Sequence, residues 1–250
     1  MHTNHQSYSL FISDLHLCDA RPAVTSAFIH FLKNEAKNAE NLFILGDLFE
    51  YWAGDDDIDH PHHQSVVSAL KELSGHGTKT FFIHGNRDFL ISTKFSTDAG
   101  IKLLADPTML ELYGTKVLLS HGDDLCTDDV AYQAFREQVR NPKWQSQFLA
   151  QPLASRKAQI EALRIRSEDE KSGKPLMIMD INQIALEKLI IAHDYPPLFI
   201  HGHTHRPKVH NLKINDHECK RIVLGDWYDQ GSSLRLDKDG FQSIAVNIQS

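Results

Sequence analysis

Tyr8-Ser9-Leu10-Phe11-Ile12-Ser13-Asp14-Leu15-His16 carries the pattern that decides the fold: an apolar run of strand formers that stops at a carboxylate and an imidazole two residues apart. The same sentence of sequence recurs four times. Asn41 to Leu45 runs into Gly46-Asp47, and residues 80–83 run into Gly85-Asn86-Arg87-Asp88. Residues 116–119 lead to His121-Gly122-Asp123, and residues 198–200 lead to Gly202-His203-Thr204-His205. Metal-type donors after successive strand-like runs are what a site assembled at the carboxyl ends of strands requires. On an extended segment, residues two apart point the same way, so Asp14 and His16 are expected to face one ion. His203 and His205 are expected to repeat that geometry.

The intervening segments supply helices. Residues 23–37 place Phe28, Phe31 and Leu32 on one helical face, and residues 65–73 are also helical in spacing. Residues 110–113 and 116–119 read as a hairpin around Gly114. Asp180 is expected to cap a helix that runs through His193. Beyond Val209, short alternating runs at 221–224, 233–236 and 243–248 read as antiparallel strands. The expected architecture is α/β, two sheets flanked by helices. Residues 131–174 lack strand character and break at Pro142 and Pro152. Trp144, Phe148 and Leu149 are expected on one face there, Ile160 and Leu163 on another, with Arg156, Lys157, Arg164 and Arg166 elsewhere around the helix. Two readings stand side by side: a helical lid over the catalytic loops, or a further pair of packed core helices. With no repeat or low-complexity linker, residues 1–250 are taken as one domain, with approximately 131–174 inserted in it.

The chain has 250 residues, 41% of them hydrophobic, enough for one large core. Its formal net charge of −7 gives no global support for nucleic-acid binding, so no nucleic-acid partner is expected and a nuclease is disfavoured. Three cysteines, Cys18, Cys126 and Cys219, lie far apart without a CxxC pair, which argues against a disulfide framework and for a reducing compartment. Cys126 is expected to be a buried small residue. The first residues lack a signal-peptide pattern, and no apolar run approaches the ~18 residues of a spanning helix. Oligomeric state has no readable signal.

Seven candidate ligands, Asp14, His16, Asp47, Asn86, His121, His203 and His205, are too many for one ion and suit two. Oxygen and imidazole donors without thiolates point to manganese, iron or zinc rather than calcium, and manganese suits the oxygen share best. Asp47 follows a glycine that permits a sharp turn, which puts its carboxylate where it can bridge two ions. Asn86 contributes a neutral oxygen and keeps the site attractive to phosphate. Two cations about 3.5–4 Å apart acidify a shared water and neutralise phosphoryl oxygens during in-line attack. The chain holds no GxSxG elbow, no P-loop and no CxxxxxR loop at Cys126 that would supply another nucleophile or phosphate cradle.

Taken in order, Asp14-x-His16, Gly46-Asp47-x-x-Glu50, Gly85-Asn86-Arg87-Asp88, His121-Gly122 and Gly202-His203-x-His205 resemble the calcineurin-like metallophosphoesterases, over roughly residues 9–226. The resemblance implies a four-layer αββα sandwich. It also implies one metal on Asp14, His16, Asp47 and His205, and a second on Asp47, Asn86, His121 and His203. Many members of the family carry histidine after Gly-Asn, where it protonates a poor leaving group. This chain has Arg87, which cannot give up a proton but can clamp phosphate oxygens. A leaving phosphate monoester needs no acid, so Arg87 points to cleavage of a diphosphate bond. Longer surroundings, including Asp47-Leu48-Phe49-Glu50-x-Trp52 and Cys126-Thr127-Asp128-Asp129, resemble a branch acting on a lipid-linked nucleotide sugar, UDP-2,3-diacylglucosamine, in lipid A synthesis. That resemblance implies two Mn(II) ions and release of UMP and the sugar 1-phosphate. It implies peripheral contact with the cytoplasmic face of the inner membrane and an acyl-holding lid of Trp144, Phe148, Leu149, Leu153, Ile160 and Leu163. The residues taken as catalytic are Asp47, Asn86, Arg87 and His121. Substrate contacts would come from Asn86, Arg87, His203, Asp129, Ser167 and Lys174, with Lys171 where the branch often has asparagine. Arg156, Lys157, Arg164 and Arg166 face either anionic headgroups or plain solvent. The alternatives are a phosphoesterase for a water-soluble substrate, such as a nucleotide pyrophosphatase, and a scaffold without activity.

Overall fold

Alternate side chains of the central strands go to opposite faces, and this sorts the molecule into layers. The computed structural model describes residues 7–172, 180–228 and 230–248, and for 166–172 the backbone alone. In β1 (Tyr8–Ile12), Leu10 and Ile12 join a core beneath helices, while Phe11 joins a second core between the sheets. β2 (Asn41–Leu45) divides the same way, Leu42 and Ile44 against Phe43 and Leu45. β3 (Lys79–Ile83) and β4 (Ile101–Leu103) continue this sheet in parallel. Phe43 stacks between Phe11 and Phe81 with ring centroids 4.9 Å apart on each side. Each such pair contributes about 0.5–1.5 kcal/mol beyond area burial.

β5 (Thr108–Leu112) and β6 (Thr115–Leu119) form the hairpin expected around Gly114, and β7 (Leu198–His201) lies parallel to β6. β6 and β7 give Val117, Leu119, Leu198 and Ile200 to the core between the sheets, and Leu118 and Phe199 to a third core on the far side. β8 (Lys208–Ile214) and β9 (His217–Val223) complete this sheet, in the order β5-β6-β7-β9-β8. β10 (Gly231–Asp237) and β11 (Gly240–Val246) return to the first sheet, whose order is β11-β10-β1-β2-β3-β4.

Crossover helices α1 (Pro22–Asn34), α2 (Pro61–Gly75) and α3 (Thr93–Ala99) cover the first sheet with Phe28, Phe31, Leu70 and Phe95. Three helices follow the hairpin: α4 (Val130–Arg140), α5 (Pro142–Leu149) and α6 (Leu153–Ser172). The last, α7 (Gln183–Ala192), covers the second sheet with Leu186 and Ile190. Helix, sheet, sheet, helix is the four-layer order that the motifs implied.

Some local expectations change. The second helix begins at Pro61, whose missing N–H costs nothing at a first helical position. The last helix is capped by Asn182, which accepts from the Ile184 and Ala185 N–H groups, and not by Asp180, whose carboxylate turns to Arg206. Between α4 and α6 the breaks fall at Pro142 and Pro152 as expected. Trp144 stacks on Phe148 at 4.9 Å, and both, with Ile160, pack on the first core, whereas Leu149 and Leu163 are exposed. Leu149 and Leu163 therefore stay outside the core that Trp144, Phe148 and Ile160 join.

Candidate metal centre

Because β1, β2 and β3 are mutually parallel, and β6 and β7 likewise, their carboxyl ends gather on one side of the sandwich. The loops leaving them stay paired beyond the strands. The Asp14 N–H donates to the Gly46 carbonyl at 3.1 Å and the His16 N–H to the Asp47 carbonyl at 2.9 Å. The Gly202 N–H reaches the His121 carbonyl at 3.0 Å, and the His203 N–H reaches Asp14 Oδ2 at 2.9 Å, which ties one sheet to the other.

The reason for the side chains' convergence differs from the sequence expectation. Asp14 and His16 do not lie on an extended segment; their φ angles are +56° and +51°. His203 and His205 repeat this at +67° and +52°, and Asp47 stands at +53°. Left-handed backbone is uncommon for residues with a side chain and clusters at functional sites. The alternation of left-handed and ordinary residues aims the two donors of each pair into one space. Close backbone approach completes the cluster. At Gly46, whose φ is +85°, a Cβ would lie 2.6 Å from Gly85 Cα and from His121 Nδ1.

Two groups of donors result. His16 Nε2 and His205 Nε2 are 3.3 Å apart, and His205 Nε2 is 3.3 Å from Asp14 Oδ1. In the second group, Asn86 Oδ1 is 3.0 Å from both His121 Nε2 and His203 Nδ1. Asp47 lies between the groups, with Oδ2 3.8 Å from His16 Nε2 and Oδ1 3.8 Å from His121 Nε2. His121 Nδ1 is 2.8 Å from the Leu45 carbonyl, which accepts a hydrogen bond from the Nδ1–H and leaves Nε2 aimed into the cluster. Neighbouring ligand atoms around one divalent cation at about 2.1 Å stand about 3 Å apart. The 3.0–3.3 Å separations within each group fit that spacing, and the mix of carboxylate, amide and imidazole suits a borderline or hard cation.

The charge balance points the same way. Burial opposes a charge on His205, but its hydrogen bonds to Asp14 and Asp226 outweigh burial and push its pKa up to about 10. Burial likewise opposes a charge on His121, yet the surrounding carboxylates of Asp47, Asp14 and Asp123 push it up to about 9. His203, buried and facing His121, is driven down to about 3. Buried carboxylates therefore draw positive charge onto two of the imidazoles, the charge that a cation would bring.

Several supporting residues carry no donor role in the sequence reading. Asp88, fully buried, accepts from the Gly85 N–H at 2.9 Å and the Leu48 N–H at 2.7 Å, and so staples the Asn86 loop to the Asp47 loop. Asp226 Oδ2 backs His205 Nδ1 at 3.1 Å. Buried Asp123 accepts from Tyr132 and, at 2.8 Å, from Arg136, while the Tyr132 ring stacks near His203 at 6.1 Å. Glu50 gathers Arg21 at 3.2 Å, Arg164 at 3.4 Å and Arg87 at 3.9 Å. Asp88 and Asp123 stand inside the motifs, a signal that was available; Asp226 follows no such signal.

Arg87 is placed beside the cluster, its backbone N–H donating to Asp47 Oδ1 at 2.8 Å. Asp129 caps α4, accepting from the Tyr132 N–H at 3.1 Å. Ser167 and Lys171 fall on α6, their side chains outside the described residues, as are the Arg166 side chain and the whole of Lys174. Three of the four basic residues, Arg156, Lys157 and Arg164, depart from both readings offered for them. Arg156 is 1% exposed, donating to the Ala53 carbonyl at 2.6 Å and to Asp56. Lys157 pairs with Asp57 at 2.7 Å. With Arg164 on Glu50, three cations of α6 pair with the acidic loop after Asp47, Arg156 fully buried and the other two partly so. Cys126 is buried, its thiol pushed up to about 12 by burial and nearby carboxylates, which suits packing and not ligation.

Comparison with known proteins agrees with this geometry. The model of the calcineurin-like phosphoesterases matches residues 9–207. A protein of Aromatoleum aromaticum named UDP-2,3-diacylglucosamine hydrolase is 51% identical over 93% of this chain and 94% of its own length. Proteins of the same name from Shigella dysenteriae and Escherichia coli are each 48% identical over 94% of this chain and 98% of theirs. With the motifs in order, the donors gathered at one end of two sheets and near-full-length relatives, the chain belongs to the calcineurin-like phosphoesterase family.

Proposed function

We propose that this chain hydrolyses the diphosphate bond of UDP-2,3-diacylglucosamine, releasing UMP and 2,3-diacylglucosamine 1-phosphate for lipid A synthesis. One observation carries the reading: a complete donor cluster with Arg87, not an acid, beside it, in a chain 51% identical to a protein named for that substrate. Asp14, His16, Asp47 and His205 would hold one cation, and Asp47, Asn86, His121 and His203 the other, manganese in both by donor type. Such a pair supplies an acidified water and positive charge against the phosphoryl oxygens.

The chain's own groups do the rest. Asp88 fixes the spacing of the Asp47 and Asn86 loops. The Leu45 carbonyl fixes the His121 ring. Arg87, held near Glu50, is positioned to clamp a phosphate oxygen by two N–H groups, and no proton is needed by a departing phosphate monoester. Asn86, His203, Asp129, Ser167 and Lys174 are assigned to the substrate's polar half, with Lys171 nearby. Residues of α4, α5 and α6 form the lid. Ion pairs from Arg156, Lys157 and Arg164 dock it on the loop that follows Asp47. Val130, Leu149, Leu163 and Ile165 expose apolar surface on these helices, which suits acyl chains and peripheral contact with the cytoplasmic face of the inner membrane. Among the described residues no helix is long and apolar enough to cross a membrane.

The test is UMP release from UDP-2,3-diacylglucosamine and from its deacylated analogue, with purified protein and added Mn(II). Preference for the diacylated substrate by about a hundredfold or more supports the proposal. Equal rates would assign the chain to a water-soluble substrate instead, and no release from either would leave a scaffold.

A further inference from the structure

Of the donors Asp14, His16 and His205 only His205 is partly exposed, and an aromatic ring lies against His16 and His205. Tyr228 stacks on His16 with centroids 5.4 Å apart and planes 26° from parallel, and its ring is 5.7 Å from that of His205. Tyr228 is 45% exposed, so the core does not hold it. Two other contacts do. The Arg21 guanidinium carbon sits 4.5 Å from the Tyr228 ring centroid. Next door, fully buried Trp227 is anchored by its N–H to the Asp14 carbonyl at 3.1 Å and by Nε1 to the Ser232 carbonyl at 3.1 Å. Arg21 is itself fixed, donating to the His16 carbonyl and to Glu50 Oε2 at 3.2 Å. The stack therefore joins the loop before α1 to the connection between β9 and β10, two segments that share no strand pairing. Asp226, two residues before Tyr228, backs His205 from the same connection.

We propose that Arg21 and Tyr228 form a clasp that retains the cation held by Asp14, His16 and His205. The inference rests on the two-cation reading above. Three features give it physical content. The ring covers the face of one ligand imidazole and borders the other, so it restricts rotation of both. It borders His205, the one of the three donors with part of its side chain open to water or a chelator. Its partner, a guanidinium, attracts the ring face and is pinned by an anion that touches the site. Groups surrounding a metal site control solvent access and ligand orientation, and their loss changes affinity by about 10–100-fold. Among the described residues Tyr228 makes ring contacts with His16, His205 and Arg21 and none with His121 or His203 of the second subsite, so the clasp acts on one cation of the pair.

The experiment uses the full chain loaded with Mn(II), mixed rapidly with excess chromogenic chelator, with bound ions counted beforehand. The expected wild-type result is two ions released in two phases. Tyr228→Ala is expected to accelerate one phase about tenfold or more and leave the other unchanged. Tyr228→Phe keeps the ring and is expected to match wild type. Arg21→Ala should move the same phase in the same direction, and serves as the second route should Tyr228→Ala fold poorly by circular dichroism. Identical release traces for wild type, Tyr228→Ala and Arg21→Ala, in a protein that holds two ions, overturn the clasp alone. A wild-type protein that binds fewer than two ions overturns the two-cation reading and the clasp with it.

Discussion

Gly85→Ala tests the geometry of the site with one methyl group. Gly85 stands outside the left-handed region, so alanine suits its backbone and only contact is at stake. A Cβ there would fall 2.8 Å from Asp47 Cγ, and nearer still to Asp47 Oδ1 and N. Ordinary contact begins at 3.4 Å, so Asp47, its backbone N as well as its carboxylate, must retreat by about 1 Å. It has little room to do so, because Asp47 is 2% exposed and its backbone is tied to His16 and Asp88. A misplacement of about 1 Å at a reacting centre costs roughly a hundredfold in rate, or about 2.7 kcal/mol of transition-state stabilisation. The assay is kcat and KM for UMP release at saturating Mn(II), with metal content measured in parallel. Gly75→Ala is the control, since a Cβ there meets nothing within 4 Å and the residue lies in α2. It should be neutral or stabilising by up to about 1 kcal/mol. If Gly85→Ala keeps wild-type turnover and two ions, Asp47 is not the shared ligand and the spacing argument fails.

Other outcomes follow from the same geometry. Arg87→His should lower kcat/KM for the diphosphate about tenfold or more, chiefly by loosening the phosphate clamp; unchanged KM and kcat would make the arginine structural. Cation binding must displace the protons held on His121, pushed up to about 9, and His205, pushed up to about 10. Apparent affinity for Mn(II) should therefore rise with pH through that range and fall by about tenfold per unit per cation toward neutrality; titrations at pH 6 to 9 that superimpose would refute this. Arg156→Ala should lower stability by about 2–3 kcal/mol, because the Ala53 carbonyl loses its buried donor and a large side chain leaves a void. Thermal unfolding shifted by less than about 2 °C would show that α6 is not held by this residue.

Legibility in the sequence followed the range of the interaction. β2 is bounded at Asn41 and Leu45 in both readings, because a strand buried on both faces writes itself as an unbroken apolar run. The donors were readable because they sit at strand ends in short motifs. Short α3 and β4 were not, since seven and three residues carry too little periodicity. Nor was the destiny of Arg156, Lys157 and Arg164. Around a helix they look like a solvated face, and their partners at Asp56, Asp57 and Glu50 lie about a hundred residues earlier in the chain. Local spacing holds no record of a carboxylate so distant. The choice of Asn182 over Asp180 as a cap failed for a related reason: both can cap, and the decision was taken by Arg206.

The left-handed residues show how the fold and the chemistry depend on each other. Of ten non-glycine residues with positive φ among those described, five are donors of the candidate centre. At about 1–2 kcal/mol each, that backbone is expensive relative to the 5–15 kcal/mol by which domains are stable. It persists because the surroundings over-determine it. Asp14 and His16 are bonded through their N–H groups to the Asp47 loop, the Asp14 carbonyl is bonded to Trp227, and its Oδ2 to His203. These anchors come from the ends of different strands, so the strained loops cannot relax one at a time. Buried carboxylates add a second unfavourable element, relieved when protonated imidazoles or cations stand among them. Strain and buried charge thus coincide at the one place where parallel strands of both sheets end, and a packed αββα interior is what holds them there.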